Sequence, residues 1–306
     1  MSNILENVVV SIRMLNIFVG IPLFIFGVIG NTSLLYIFSR SRFLKVSSIR
    51  YLFAASITSL IQLMQTLLPR ILTEGFGIPL VKSNSNYCKA HNYIASVVTL
   101  CSIFYPCWTS FDQYVNTSRN AATRKQWTSK WFVNSAIFGT LLFWLIIQLP
   151  NVIFSYAIGE SCLSRSIIST YIYSYAVTPL TYSIVPTIAI SYFSIGIARN
   201  LRQSRIVSII QVNKYLARQI RRTLIPQLIL LLVSGIPYSL QTIYAVATLS
   251  IKKDPLRAAV ENLAVTIVRL LFYLNYVGSF YIYILMSSKI RCELKKIFFR
   301  QSPIYP

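Results

Sequence analysis

Seven times along the chain, apolar residues run for about 20 positions with few interruptions, and short polar stretches separate the runs. Each run is long enough to cross a bilayer as a helix. The pattern predicts spans at 14–38, 51–72, 87–113, 131–156, 171–197, 223–249 and 262–286. A basic, amphipathic stretch, SSKIRCELKKIFFR, follows the last of them. The expected fold is therefore an all-α membrane protein. Its seven-transmembrane helix bundle covers 14–286, after an extracellular N-terminus (1–13) and before a cytoplasmic amphipathic helix and tail (287–306). There is no room for a separate soluble domain, and no internal repeat is visible.

Composition agrees. Of the 306 residues 55% are hydrophobic and only 12% charged, against about 25% charged in soluble domains. A net charge of +22 would suggest nucleic acid in a soluble chain. Here the charge is segregated instead. The odd-numbered loops and the tail carry 20 of the 29 basic residues, among them Arg40, Arg42, Arg119, Arg124, Lys125, Arg218 and Arg221. Five of the seven acids (Glu6, Glu74, Glu160, Asp254 and Glu261) fall on the other side. Because basic loops stay cytoplasmic, the N-terminus is expected outside and the C-terminus inside, in a multi-pass protein of the plasma membrane. Nucleic acid is then no partner, and the basic face lies against anionic membrane lipids. The stretch before the first span lacks a basic segment, so that span is expected to serve as its own insertion signal.

The five cysteines divide by position. With this topology Cys88 and Cys162 both face an oxidising compartment, which makes them a candidate disulfide. Cys101 and Cys107 lie inside the third span and read as small packing side chains. Cys292, beside the membrane in the amphipathic tail, is a candidate for lipidation, with a free thiol as the alternative. A single histidine and acids at opposite ends of the spans assemble neither a metal site nor a nucleophile with its base. No enzyme activity, cofactor or metal is expected.

Asp112 follows Cys88 by 24 residues, or ~36 Å of helix, so the third span carries an outer cysteine and an inner Asp112-Gln113-Tyr114. This resembles the rhodopsin-like (class A) G-protein-coupled receptors. Gly30-Asn31 is similar to that family's first-helix Gly-Asn pair. Pro69, Pro186 and Pro237 fall where its helices bend, and Tyr283 matches the tyrosine of its Asn-Pro-X-X-Tyr motif. The resemblance covers nearly the whole chain and is closest to divergent branches such as those of small invertebrates. It implies a cell-surface receptor that binds an extracellular ligand and signals through a heterotrimeric G protein by outward movement of helix 6. The alternatives are a receptor-fold protein with weak or no coupling, and a small-molecule transporter.

The departures narrow what it binds. The position of the aspartate in amine receptors is Ala95, and that of the retinal lysine in opsins is Tyr273. Neither an amine nor retinal is expected. Arg269 is an ionisable residue within the seventh span, and such residues usually face the bundle interior. With Arg70 and His91 it predicts a positive cavity for a peptide or a small anionic or zwitterionic ligand, with Tyr238, Gln241 and Tyr244 as neutral partners. The competing reading is that Arg269 snorkels or pairs with Glu261.

At the inner end the family's Asp-Arg-Tyr reads Asp112-Gln113-Tyr114, its helix 6 tryptophan is absent before Pro237, and Ser279 stands for the asparagine before Tyr283. The helix 2 aspartate is replaced by Ser59, so no sodium site is expected. Asp112 is expected near water with Arg119, Arg124 and Lys125 at hand. Gln113 cannot make an ionic clamp, and a hydrogen bond to Tyr283 or to a backbone carbonyl is the expected substitute. Asn31, Asp112, Gln113, Tyr114, Pro237, Ser279 and Tyr283 together form the expected switch.

Overall fold

A computed structural model describes residues 2–78, 85–158, 161–164, 166–203 and 211–299. Seven helices are long and apolar enough to cross a membrane: α1 (Ile4–Phe38), α2 (Ser47–Gly75), α3 (Asn86–Asn116), α4 (Lys130–Ile147), α5 (Ile167–Asn200), α6 (Arg222–Ala247) and α7 (Pro255–Met286). The amphipathic α8 (Ser288–Phe299) follows. The chain is thus a multi-pass membrane protein built as an all-α seven-helix bundle. Between α4 and α5 a short antiparallel hairpin of β1 (Ser155–Ile158) and β2 (Ser161–Ser164) pairs Ala157 with Cys162. This hairpin marks one end of the bundle and α8 the other.

Several helices extend past the predicted spans. Helix already begins at Ser2, and α7 starts at Pro255 rather than at 262, with Asp254 capping it through Leu256 N–H. Hydropathy marks only what the bilayer must cover, whereas capping and helix contacts carry a helix beyond it. Helix α3 is the axis: 61% of its most apolar window is buried, against 11% for α1 and α4. The exposed apolar side chains of α4, such as Phe138 and Leu142, form a lipid-facing surface.

Small residues set the closest helix contacts, as expected where lipid leaves no hydrophobic drive between helices. A Cβ on Gly30 would sit 2.9 Å from the Phe280 side chain of α7. One on Gly196 of α5 would sit 2.6 Å from the Tyr114 ring. One on Gly235 of α6 would sit 2.7 Å from the Tyr182 backbone oxygen of α5. Tyr182 lies four residues before Pro186, whose ring nitrogen cannot donate to that oxygen. Wider i→i+5 turns at Leu180–Ile184 absorb the missing bond, as others do at Leu63–Leu67 and Ile71–Gly75 around Pro69.

Candidate functional site

At the hairpin end, α7 presents Arg269 on the same helical stripe as Phe272 and Tyr276, three and seven residues on. Both of those side chains are buried in the bundle. Arg269 therefore points inward, yet it is exposed, so the bundle opens around it. It makes no hydrogen bond or ion pair among the described residues. The expected alternative pairing with Glu261 is not formed. Glu261 is held by Lys253 and, at 3.0 Å, by Arg257, and accepts from Tyr244 Oη at 2.9 Å.

Arg70 of α2 is half-buried and fixed. Its Nε donates to Asn16 Oδ1 at 3.2 Å and its Nη2 to Thr266 Oγ1 at 3.1 Å, tying α1, α2 and α7 together. Arg70 and Arg269 lie close enough to repel each other, and both face Tyr238. The Tyr238 ring stacks on Phe272, with centroids 4.4 Å apart, and on Tyr182 at 5.6 Å. The site is thus two guanidinium groups beside an aromatic platform.

The structure does not bring all the expected residues there. His91 Nε2 bonds instead to the backbone oxygen of Gln65. Gln65 lies four residues before Pro69, which cannot donate to that oxygen, so histidine fills a place that the proline leaves open. Tyr244 belongs to the exposed rim cluster with Glu261 and Arg257. Gln241 is half-buried and makes no hydrogen bond among the described residues. Cys88 is buried and is not among the free thiols, which are Cys101, Cys107 and the exposed Cys292. The side chain of Cys162 lies outside the described residues.

At the α8 end, the expectation for Asp112 is overturned. It is 1% exposed, as is Gln113, and its hydrogen-bond partners are neutral. Asp112 Oδ2 accepts from Ser47 Oγ at 2.8 Å, from Asn116 Nδ2 at 2.9 Å and from Ser48 Oγ. Ser47 and Ser48 open α2, whose own N-cap, Val46, supplies no side-chain acceptor. The carboxylate of α3 also accepts from the Ser48 backbone N–H and so acts as the missing cap of α2, where the helix dipole favours negative charge. Arg124, an expected partner, instead turns to the Ser118 backbone oxygen at 2.5 Å. Gln113 Nε2 donates to Ser48 Oγ, so the expected bond to Tyr283 is not made. Tyr283 Oη accepts from Gln227 Nε2 of α6 at 2.9 Å instead.

The other residues expected to form a switch sit as structural joints. Asn31 Nδ2 donates to Gly27 O at 2.8 Å and to Tyr276 O at 2.9 Å, clamping α1 to α7. Tyr114 packs against Gly196 and Phe193 of α5. Ser279 Oγ turns to Asn275 O at 3.4 Å, and Asn275 Nδ2 reaches Ser234 Oγ of α6, three residues before Pro237. No family model matches the chain, and no curated protein matches it. Among the described residues no cluster could hold a metal ion.

Sequence reasoning missed Ser47, Ser48, Gln227 and Asn275, and it missed the anchor of α8. Glu293, with 6% of its side chain exposed, pairs with Arg40 at 2.6 Å and Arg42 at 3.4 Å, fixing α8 to the turn around the short helix Ser41–Leu44. A signal existed for Gln227 and Asn275, since an amide inside an apolar span needs a partner. For Glu293 the signal was a single acid amid the basic residues of the amphipathic stretch.

Proposed function

We propose that the chain is a cell-surface receptor whose ligand enters at the hairpin end and places an anionic group between Arg269 and Arg70. The observation that carries this reading is the inward, exposed and unpaired guanidinium of Arg269. Holding a second cation beside it is unfavourable at low dielectric, and a carboxylate or similar anion would relieve the repulsion of both. Arg70 is already oriented by Asn16 and Thr266, so little side-chain entropy is lost on binding. The ligand class is a peptide with a free acid or a small anionic or zwitterionic molecule. In this reading the N-terminus and the hairpin are extracellular, the C-terminus is cytoplasmic, and a disulfide from Cys88 to Cys162 holds the hairpin over α3. A second copy of the positive charge lies inside, where the basic loops face anionic lipid and a heterotrimeric G protein.

Signalling proceeds by outward movement of α6, which breaks the bonds from Gln227 to Tyr283 and from Asn275 to Ser234. A weakly coupling receptor is the second reading, and Gln113 favours it. Gln113 is directed to Ser48 and carries no charge for a partner to engage. The test uses cells expressing the chain, screened with peptides and metabolites and read by second messengers. Arg269→Ala should lower the potency of an anionic agonist at equal surface expression. Unchanged potency for every activating ligand would refute the assignment.

A further inference from the structure

Four side chains from three helices meet at the hairpin end: Arg70 of α2, Tyr238 of α6, and Arg269 and Tyr273 of α7. Charge interactions join Arg70 to Arg269, Tyr238 and Tyr273, and join Tyr238 to the other three. Arg269 and Tyr273 stand about one turn apart on α7 and so share a face. Neither phenol makes a hydrogen bond among the described residues. Tyr273 is only 7% exposed, yet its hydroxyl is not one of the enclosed polar atoms that lack a partner, so it opens to the space in front of it. The same holds for the hydroxyl of Tyr238.

A guanidinium only donates, and each phenol adds a hydrogen. Arg70 has given its Nε to Asn16 and an Nη2 hydrogen to Thr266, which leaves Nη1 free. Arg269 keeps its whole fork. Glu74, one turn beyond Arg70, attracts it but is exposed and makes no hydrogen bond or ion pair among the described residues. It offsets part of the charge and occupies none of the donors. The shape of the guest follows from where the donors lie. A carboxylate has two oxygens in one plane, and one guanidinium edge satisfies it. Arg70 Nη1 and the two phenols would then have nothing to bond. A phosphate or sulfate ester has three terminal oxygens that diverge, so each can be met from a different helix, and guanidinium groups suit it in geometry and charge. The ammonium of a zwitterion would instead lie against two cations.

We infer that the group held at this site is a tetrahedral oxyanion, the phosphate or sulfate ester of a ligand, rather than a carboxylate. The inference rests on the anion site proposed above between Arg269 and Arg70, and it narrows the ligand class. Arg269 and Arg70 Nη1 bind the terminal oxygens from α7 and α2, and the hydroxyls of Tyr238 and Tyr273 bind them from α6 and α7. The tyrosines thereby become the residues that separate an ester oxyanion from a simple acid. A soluble small-molecule ester and the headgroup of a lysolipid present the same chemistry.

Titration calorimetry on the purified full-length chain in dodecyl maltoside tests it, with probes that share a ring: phenyl phosphate, phenyl sulfate, benzoate and free phenylalanine. Phenyl phosphate or phenyl sulfate should bind about tenfold more tightly than benzoate or phenylalanine, the yield of a further charge-assisted hydrogen bond. Tyr273→Phe should erase most of that preference and leave benzoate unchanged. Arg269→Gln, at an exposed side chain, should weaken every anion. An oleoyl lysophosphatidate separates the sources: binding tighter than phenyl phosphate assigns the ester to a lipid, equal or weaker binding assigns it to a soluble molecule, and either supports the oxyanion class. Benzoate or phenylalanine binding as tightly as both esters overturns the inference while the anion site between the arginines stands. No binding by any probe, or binding that Arg269→Gln leaves unchanged, overturns both. The wild-type comparison decides the class even where Tyr273→Phe fails to fold.

Discussion

Gly235→Ala offers a quantitative test of how closely α5 and α6 pack. A Cβ at this position would stand 2.7 Å from Tyr182 O and 3.2 Å from Ser183 Oγ, well inside van der Waals contact. The first obstacle is backbone, so the helices themselves must part. Overpacking of this kind costs about 1–3 kcal/mol, and a backbone obstacle places it toward the upper end. Against this, alanine in a helix interior gains about 0.8–1.0 kcal/mol over glycine. Gly139 of α4 is the matched control: it too is helical, and a Cβ there meets nothing within 4 Å. Comparing the two variants cancels the propensity gain and leaves a difference of about 2–3 kcal/mol. For a chain of this size, that corresponds to roughly 4–8 °C in Tm. Thermal unfolding of detergent-purified variants, followed by loss of the monomeric peak in size-exclusion chromatography, reads it directly. Gly139→Ala should melt at or slightly above wild type and Gly235→Ala several degrees below. If the two variants melt together, the α5–α6 approach described here is wrong.

Other outcomes follow from the same contacts. Gln227→Leu removes the bond to Tyr283 and should raise basal signalling, while costing little stability because an unpartnered buried oxygen leaves with it; a second-messenger assay without agonist measures this. Gln113→Arg puts a cation beside the buried Asp112 carboxylate and should increase agonist-driven coupling, whereas no change in basal or stimulated signal would place Gln113 outside the switch. Glu293→Ala should free α8 from Arg40 and Arg42 at a cost of about 1 kcal/mol, since both arginines are substantially exposed. Limited proteolysis should then cut within α8 faster, with Tm nearly unchanged. Asp112→Ala strips the cap of α2 and should cost about 1–2 kcal/mol, with Asp112→Asn recovering much of it because its amide oxygen still accepts from Ser47 and Ser48.

The reach of sequence reasoning differed between the two ends of the molecule. Arg269 could be picked out from the chain alone, because a charge inside an apolar run is costly wherever its helix lies. Its pairing could not. Glu261 stands two helical turns before it, but Lys253 and Arg257 flank that acid more closely and neutralise it. For Asp112 the error came from assuming that a residue near a span end meets water. Asp112 and Gln113 at the foot of α3 are buried, and the N-terminus of α2 is packed on them.

The sequence by itself determined the number of helices, their membrane-spanning character and the position of the amphipathic α8, because hydrophobicity is a local property summed along the chain. It also marked the deviations at Pro69 and Pro186, where wider turns stand in for the bond each proline cannot donate, whereas the expected bend at Pro237 falls inside an unbroken α-helix. Only the tertiary structure decided which polar group meets which. Gln113 and Ser48 are 65 residues apart, Asn31 and Tyr276 are 245 apart, and Arg40 and Glu293 are 253 apart. Those pairings depend on the rotation of each helix about its axis and on close approaches at Gly30, Gly196 and Gly235. Rotation and approach are set by side-chain packing between distant segments, which no local pattern encodes. The acid at the foot of α3 was visible in the chain, but its role as the cap of α2 belongs to the fold.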